Sequence, residues 1–417
     1  MAGLTEKGKN ALNLAIKFFE NKAFSAADLS QVSGEKIAAA TLTAVANHGY
    51  LIKKNTKPVT YELIKNASQI FTLEKDEGKG CDNSNLRAAQ IAKKDEFYTR
   101  YEDIEVECIK YKQYFLDKTI YLNCDDTPEV SEFFKFFVAK FDAFGLKKLI
   151  ATHFDNEKSS YGHVLYRDIN GDGFIDMEDI EFFELKGNGD FRSPECVEIL
   201  KECDIVITNP PFSLFREFID QLIDFNKFFL VIGNENAITY KNVFTYIKEN
   251  KMWEGYNSPR PKEFFIPDDY EVKNLFIDKK TGKRMAKFGN TLWFTNLPVR
   301  KRNEDLVLTA TYFDDKNKRE LYQKYDNYDA INVNRVANIP KDYYDVMGVP
   351  ITFISQYNPN QFEIIDIAKR GPGDPALRTK VYTKEEYSNY SDLNAGPVLI
   401  ENGKLKNTYP RLLIKRK

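Results

Sequence analysis

Short apolar runs alternate with amphipathic stretches through the middle of the chain, from about residue 93 to residue 304. Uninterrupted β-branched and aromatic runs predict buried strands at 119–123, 148–153, 205–208 and 228–232. Apolar residues at helical spacing predict helices between them, at 129–144 and 214–225. Strands that alternate with helices are typical of a parallel sheet covered on both faces. We therefore expect an α/β fold here, with a late antiparallel strand at 289–297.

The first 70 residues follow a different pattern and predict a separate small domain. Helical spacing indicates helices at 5–21, 26–31 and 35–47, and Ser25 with Asp28 forms a capping-box signature before the second. Two short strands, 50–53 and 59–63, follow and are joined by a lysine-bearing loop. This order is that of a winged helix-turn-helix, whose third helix enters the major groove while the wing touches phosphates. A small domain used for protein contact is the alternative.

Composition narrows the class of protein without settling its function. With 417 residues we expect two or three domains, and the 42% apolar and 29% charged residues are ordinary for a globular chain. The five cysteines form no CxxC pair and no apolar run approaches membrane-span length, so we expect a cytoplasmic protein without membrane association. The net charge of −2 neither supports nor excludes nucleic acid, because binding needs only a local basic face.

The segment 204–212 carries the most specific chemistry. Its apolar half ends at Pro210 and Pro211, which cannot donate to a strand ladder, so a buried strand must stop there. Ligands bind at the carboxyl ends of strands in open α/β sheets. The Asn209 amide oxygen and a proline carbonyl can accept both hydrogens of an exocyclic amine, while Phe212 stacks on the ring. The alternative is a strand followed by a proline turn with an incidental asparagine.

The run from Asn209 to Arg216 resembles the EcoRI-type family of DNA adenine methyltransferases, and the likeness extends from about residue 93 to the C-terminus. The resemblance implies a Rossmann-like sheet that uses S-adenosylmethionine to methylate N6 of an adenine flipped out of double-stranded DNA. It implies catalytic roles for Asn209, Pro210, Pro211 and Phe212. It also implies a prokaryotic or phage origin, and it leaves open whether a cognate restriction endonuclease acts on the same site or the enzyme acts alone. The domains become a winged helix-turn-helix at 1–70, a linker at 71–90, the methyltransferase at 91–304 and a target-recognition region at 305–417.

The resemblance also indicates which residues bind the cofactor. Phe97, Tyr98 and Thr99 are similar to the segment that contacts the methionine half, although Arg100 stands where many members have proline. The 123–126 stretch, Asn-Cys-Asp-Asp, replaces the usual glycine-rich loop, a departure that the EcoRI-type family shares. The candidate cofactor-binding residues are Phe97, Tyr98, Thr99, Asn123, Asp125, Asp126, Asp155, Asp190 and Phe191. Of these, Asp155 follows the second strand, where an acid often holds ribose hydroxyls. Asp190 and Phe191 would receive the cofactor's adenine, and Asp125 and Asp126 have the alternative role of helix caps.

A second motif, at 168–179, suggests a different function. Its spacing matches a calcium-binding loop, with Asp168, Asn170, Asp172, Asp176 and Asp179 as ligands. Position 12 is aspartate instead of the usual glutamate, and the preceding 161–166 segment alternates like a strand. The alternative is a hairpin turned by Asn-Gly-Asp-Gly, with no metal in the enzyme at all.

The leading hypothesis is therefore an N6-adenine DNA methyltransferase. The same amine grip fits the methylation of RNA or of a protein glutamine. Since the cofactor loop lacks glycine, a DNA-binding regulator with a decayed methyltransferase domain is an alternative of another class, and a calcium-binding scaffold is a third.

Overall fold

The protein, in a computed structural model, consists of two compact units, residues 1–95 and 96–417. The residues that the structure describes are 6–19, 23–34, 36–47, 51–54, 56, 58–63, 98–155, 160–256, 263–266, 275–279, 281–369 and 377–417. The predicted linker 71–90 and the cofactor candidate Phe97 lie outside these residues.

The first unit contains three helices followed by a hairpin, in the predicted order. Its elements are α1 (Glu6–Phe19), α2 (Ala26–Ser33), α3 (Ala39–Asn47), β1 (Leu51–Lys54) and β2 (Thr60–Leu63), with β1 and β2 antiparallel. Leu12, Leu29, Leu42 and Val45 form its core together with Tyr61 from β2. The winged helix-turn-helix assignment remains a prediction, because this element order alone does not define it.

The capping box predicted in the first unit is present. The Ser25 hydroxyl accepts from the Asp28 N–H, and the Asp28 carboxylate accepts from the Ser25 N–H at 2.8 Å, which completes the capping box. Gly34 ends α2 in the left-handed conformation, with φ 72°. The predicted start of the third helix was wrong, since Lys36 to Ala38 are not helical.

The second unit holds the remaining elements. Its helices are α4 (Tyr101–Cys108), α5 (Glu132–Ala139), α6 (Phe141–Phe144), α7 (Pro194–Glu202), α8 (Phe215–Asp224), α9 (Lys241–Lys248) and α10 (Tyr390–Leu393). Its strands to residue 295 are β3 (Tyr98–Thr99), β4 (Thr119–Asp125), β5 (Lys148–His153), β6 (Tyr161–Leu165), β7 (Glu181–Glu184), β8 (Ile205–Thr208), β9 (Phe228–Asn234), β10 (Trp253–Glu254), β11 (Glu263–Phe265), β12 (Leu275–Ile277), β13 (Arg284–Lys287) and β14 (Thr291–Thr295). The later strands are β15 (Phe313–Asp314), β16 (Arg319–Glu320), β17 (Ile331–Asn332), β18 (Met347–Pro350), β19 (Phe362–Ala368), β20 (Val398–Glu401), β21 (Lys404–Asn407) and β22 (Arg411–Arg416).

An eight-stranded mixed sheet, in the order β10-β14-β9-β8-β4-β5-β6-β7, forms the centre of this unit. Strands β5, β4, β8 and β9 are parallel neighbours, and β14 pairs antiparallel with β9, as predicted for the late strand. All four residues of β8 are buried, which explains its continuous apolar sequence. From β4 the chain continues to β5 on one side and later returns to β8 on the other. The gap between β4 and β8 is therefore the topological switch point, where open α/β sheets bind ligands.

The helix predicted at 129–144 is two helices. Ser131 caps α5 by accepting from the Phe134 N–H, so the predicted first turn of this helix is not part of it, and Val130 is exposed. Lys140 leaves the helical region with φ −112°, and α6 then ends at Gly145, with φ 63°. Likewise the helix predicted from residue 214 begins at Phe215, after a 3₁₀ turn over Phe212–Leu214.

Two smaller sheets complete the second unit. One has the order β12-β13-β11-β3 and the other β17-β18-β22-β19. Apolar residues of the second, such as Met347 and Leu412, belong to the same buried cluster as Val206 of β8. The domain boundary expected at 304–305 remains a prediction. Within the described residues, no helix is long and apolar enough to cross a membrane.

A candidate methyl-transfer cleft

An open cleft lies at the carboxyl ends of β4 and β8, at the switch point of the large sheet. The described residues that line it are Tyr98, Thr99, Cys124, Asp125, Asp126, Ser131, Glu132, Phe133, Thr208 and Asn209. Five of the predicted site residues, from three separate parts of the sequence, are thus brought together.

Cys124 provides the backbone conformation that glycine usually gives to such a loop. Its φ is 59°, in the left-handed region, and the register between β4 and β5 shifts between Leu122 and Asp125. A side chain in this conformation costs about 1–2 kcal/mol. The chain therefore turns from β4 into the cleft wall without a glycine. The sequence pattern alone did not predict this conformation of Cys124.

Asp125 is the most perturbed acid of the cleft. The Ser131 hydroxyl lies 2.7 Å from both of its carboxylate oxygens while also capping α5. Burial raises the pKa of the Asp125 carboxyl to about 7, and the hydrogen bond from Ser131 opposes only part of that shift. A carboxyl poised near neutral pH is typical of a site that exchanges protons or binds a cation. The residue that caps α5 is Ser131, and a role of Asp125 in binding a ligand stays a prediction.

Asn209 ends β8 and contacts a residue of a different sheet. Its Nδ2 donates to the Thr99 hydroxyl at 3.3 Å, and Thr99 is only 3% exposed. Pro211 is extended, and its carbonyl accepts from the Leu214 N–H at 3.0 Å, which closes the turn into α8. Phe212 is buried, and Pro210, Pro211 and Phe212 are not among the described residues that line the cleft.

Arg100 fixes the segment that carries Tyr98 and Thr99. Its guanidinium donates to both carboxylate oxygens of Asp103, at 2.8 and 3.0 Å, and to Glu263 at 3.1 Å. It thereby joins β3 to α4 on one side and to β11 on the other. Arg100 precedes α4 with φ −71°, a value that proline also adopts.

The other cofactor candidates lie beside the cleft, at the end of β5. The Asp155 N–H donates to the Asn188 carbonyl at 2.9 Å, so Asp155 and the loop that carries Asp190 are neighbours. Gly189 has φ 78°, and a Cβ there would lie 1.9 Å from the His153 carbonyl oxygen. His153 in turn lies 3.5 Å from Asp126 and connects this loop to the cleft.

Asp190 and Phe191 have partners of their own within the chain. Asp190 forms a two-point ion pair with Arg192, at 2.9 and 2.7 Å, and Arg192 also contacts Glu217 at 2.7 Å. Phe191 is 3% exposed and packs edge-on against Phe218 in the main core. Neither residue is among the described residues that line the cleft, so their predicted contact with an adenine ring remains a prediction. Asn123, by contrast, is buried at the end of β4, next to the lining residues.

The calcium-like segment lies between β6 and β7 and forms a hairpin loop. Asp168 accepts from the N–H groups of Gly171 and Gly173, and Asp179 accepts from those of Ile169 and Asp176. Within the described part of the chain, no group of three or more His, Cys, Asp or Glu side chains could hold a metal ion. The carboxylates of Asp168 and Asp179 thus accept hydrogen bonds from backbone N–H groups of the loop and stabilise its turns.

Sequence reasoning missed half of the cleft lining. Ser131, Glu132 and Phe133 enter from the first turn of α5, and Thr208 and Cys124 from the strand ends. The Ser-x-x spacing of a helix cap was the available signal for Ser131, since it places the helix start at the carboxyl end of β4.

The sequence also matches known adenine-specific methyltransferases. The sequence profile of the family described as "Adenine-specific methyltransferase EcoRI" matches residues 85–417. The Type II methyltransferase M.EcoRI of Escherichia coli is 48% identical over 303 residues, which cover 70% of this chain and 91% of that protein. The Type II methyltransferase M.MgeORF184P of Mycoplasma genitalium is 41% identical (80% and 98% covered), and M.MpnI of Mycoplasma pneumoniae is 36% identical (79% and 97% covered). No solved structure matches this one significantly. The chain belongs to the EcoRI family of adenine-specific methyltransferases.

Proposed function

We propose that this enzyme transfers the methyl group of S-adenosylmethionine to N6 of an adenine flipped out of duplex DNA. The observation that carries the proposal is one cleft, at the switch point of the sheet, that contains both Asn209 and a group of carboxylates. Methyl transfer from a sulfonium donor needs an amide that accepts hydrogen bonds from the substrate amine, next to carboxylates that bind the cationic donor.

The chemistry of the cleft wall fits the cofactor. S-adenosylmethionine has two cationic groups, the ammonium and the sulfonium, and ribose hydroxyls that donate hydrogen bonds. Asp125, Asp126 and Glu132 line the cleft and supply acceptors and negative charge. The buried Asn123 Oδ1 has no hydrogen-bond partner in the structure as described, so an acceptor remains for a ligand at the end of β4. Tyr98 adds an aromatic wall.

The target amine would be held by Asn209 and Pro210. The Asn209 oxygen and the Pro210 carbonyl accept its two hydrogens, which draws the nitrogen lone pair out of ring conjugation. When bound, S-adenosylmethionine would supply an electrophilic methyl group on a positively charged sulfur. The amine nitrogen held by Asn209 and Pro210 would form the bond to that carbon as the carbon–sulfur bond breaks, and it would then lose one proton to solvent. Positioning by Asn209 and Pro210 provides most of the acceleration. Phe212 would stack on the base once it has left the helix.

Two regions outside the cleft would hold the DNA. Residues 1–84 precede the part matched by the family profile, and the exposed lysines 53 and 54 on β1 suit phosphate contact. Lys54 already pairs with Glu62 at 2.5 Å, which leaves Lys53 as the stronger candidate. The region 305–417 would read the target sequence. A cognate restriction endonuclease is proposed on the strength of the relatives' description as Type II methyltransferases.

Purified protein with labelled S-adenosylmethionine tests this directly. Duplex DNA, structured RNA and a mixture of proteins are offered separately, and the product is digested and identified by mass spectrometry. We expect N6-methyladenine from duplex DNA alone. Label in RNA or in glutamine, with none in DNA, would overturn the proposal.

A further inference from the structure

One hydrogen bond in the cleft joins two residues that no shared element holds together. Asn209 follows β8 of the large sheet, and its Nδ2 donates to the hydroxyl of Thr99, which belongs to β3 of the smaller sheet. Both side chains line the cleft, and Thr99 is almost completely buried. The contact therefore connects the proposed amine grip to a separate structural support.

This contact bears on the orientation of the Asn209 amide. A carboxamide has an acceptor arm and a donor arm, and only the acceptor arm can receive a hydrogen from an amine. When the oxygen faces the amine, the NH₂ arm faces the other way and needs an acceptor, because a buried donor without one is costly. The Thr99 oxygen is that acceptor.

We propose that Thr99 is a positioning residue that keeps the Asn209 oxygen directed at the substrate amine, in addition to any contact with the cofactor. This inference rests on the role proposed for Asn209. It gives Thr99 a part in the turnover step, whereas the resemblance implied only a part in cofactor binding.

The position of the Thr99 hydroxyl is fixed by residues away from the large sheet. Thr99 pairs with Phe264 in the β3–β11 ladder, and Arg100 next to it is held by Asp103 and Glu263. The hydroxyl is thus presented from a backbone anchored on two sides. A loose loop could not hold an amide in one orientation as well.

Three substitutions separate this role from its alternatives. Thr99→Val keeps the shape and removes the hydroxyl, Thr99→Ala removes hydroxyl and methyl, and Thr99→Ser removes only the methyl. We expect Thr99→Val and Thr99→Ala to lower kcat about tenfold even when S-adenosylmethionine is saturating, and Thr99→Ser to restore most of kcat. Thr245→Val, which removes an exposed hydroxyl on α9, is the matched control and should leave kcat unchanged.

The measurements are single-turnover methylation of duplex DNA, a cofactor titration and a thermal melt of each variant. A normal kcat in Thr99→Val overturns the inference, as does a defect confined to cofactor affinity. Equal impairment of Thr99→Ser and Thr99→Ala also overturns it, because the methyl would then be the important group. If Thr99→Val does not fold, the comparison of Ala with Ser decides in the same way. Full methylation activity in Asn209→Ala would remove the role proposed for Asn209 and this inference with it, whereas an inactive Asn209→Ala beside a normal Thr99→Ala removes only this inference. Absence of N6-methyladenine from DNA with the parent chain would instead remove the proposed function.

Discussion

Cofactor binding should depend on pH through Asp125. Its carboxyl lines the cleft, is bonded to Ser131 and has a pKa raised by burial to about 7. A cationic ligand beside it favours the carboxylate, so binding must release the proton that the group holds below neutral pH. Affinity should therefore rise with pH until the carboxyl of the free enzyme is ionised.

The size of the effect follows from that pKa. A carboxyl of pKa about 7 is ionised in roughly one molecule in ten at pH 6, and each further unit costs another factor of ten. Between pH 7.5 and pH 5.5 the dissociation constant should rise about 25-fold, which corresponds to about 1.9 kcal/mol. The effect is smaller in proportion if the carboxyl stays partly protonated in the complex.

Calorimetric titration of S-adenosylmethionine across this pH range measures the effect, with the Asp125→Asn variant alongside. The variant should bind more weakly at pH 7.5 and show little pH dependence, whereas Asp142→Asn, an exposed carboxylate on α6, should behave like the parent chain. A parent dissociation constant that does not change with pH would refute the reasoning. So would an unchanged pH profile in Asp125→Asn.

The same carboxyl affects folding with a definite sign. Because its pKa in the folded protein lies above the ordinary value of 3.8, it contributes stability that is present below about pH 4 and is lost as the pH rises through about 7. The melting temperature of Asp125→Asn minus that of the parent chain should therefore be larger at pH 8 than at pH 5.

Two predictions concern the backbone around the cleft. Cys124→Gly should melt within a few degrees of the parent chain, because relief of the strain at φ 59° offsets the greater freedom of glycine in the unfolded chain. Cys124→Val should melt at a clearly lower temperature, because a β-branched side chain fits this backbone conformation poorly. Equal melting temperatures of the two variants would contradict the presence of strain at Cys124. Gly189→Ala should destabilise the chain by about 2–3 kcal/mol and weaken cofactor binding, since its Cβ would overlap the His153 carbonyl. Gly171→Ala has a similar φ of 76° with open space around it and should cost only about 1 kcal/mol; equal thermal shifts for the two alanines would contradict the overlap.

The sequence predicted the structure best at residues whose side chain permits few backbone conformations, such as proline. The two prolines after Asn209 predicted the end of β8. Because ligands bind at the carboxyl ends of parallel strands, Asn209 was expected at the switch point, where it lines the same cleft as Asp125. The parallel core strands were predicted from their apolar runs, and the late antiparallel strand from its alternating pattern. The family resemblance directed attention to Tyr98 and Thr99, whose place in the cleft no local pattern indicated.

Features that depend on distant contacts could not be predicted. The hydrogen bond between Asn209 and Thr99 joins residues 110 positions apart, and no periodicity encodes it. The left-handed backbone at Cys124 contradicts its residue type, so composition pointed to a missing glycine instead of a substitute for one. The break in the helix at Lys140 was hidden because the apolar spacing continues through it from Phe137 to Phe141.

The central claim is that the Asn209 amide acts on the substrate amine and not on the cofactor. The most direct test is to measure Asn209→Ala in two assays, methylation of duplex DNA and titration with S-adenosylmethionine. We predict a loss of about 10²–10³-fold in the methylation rate, with a dissociation constant within about threefold of the parent chain. Equal losses in both assays, or methylation that survives the substitution, would contradict the account.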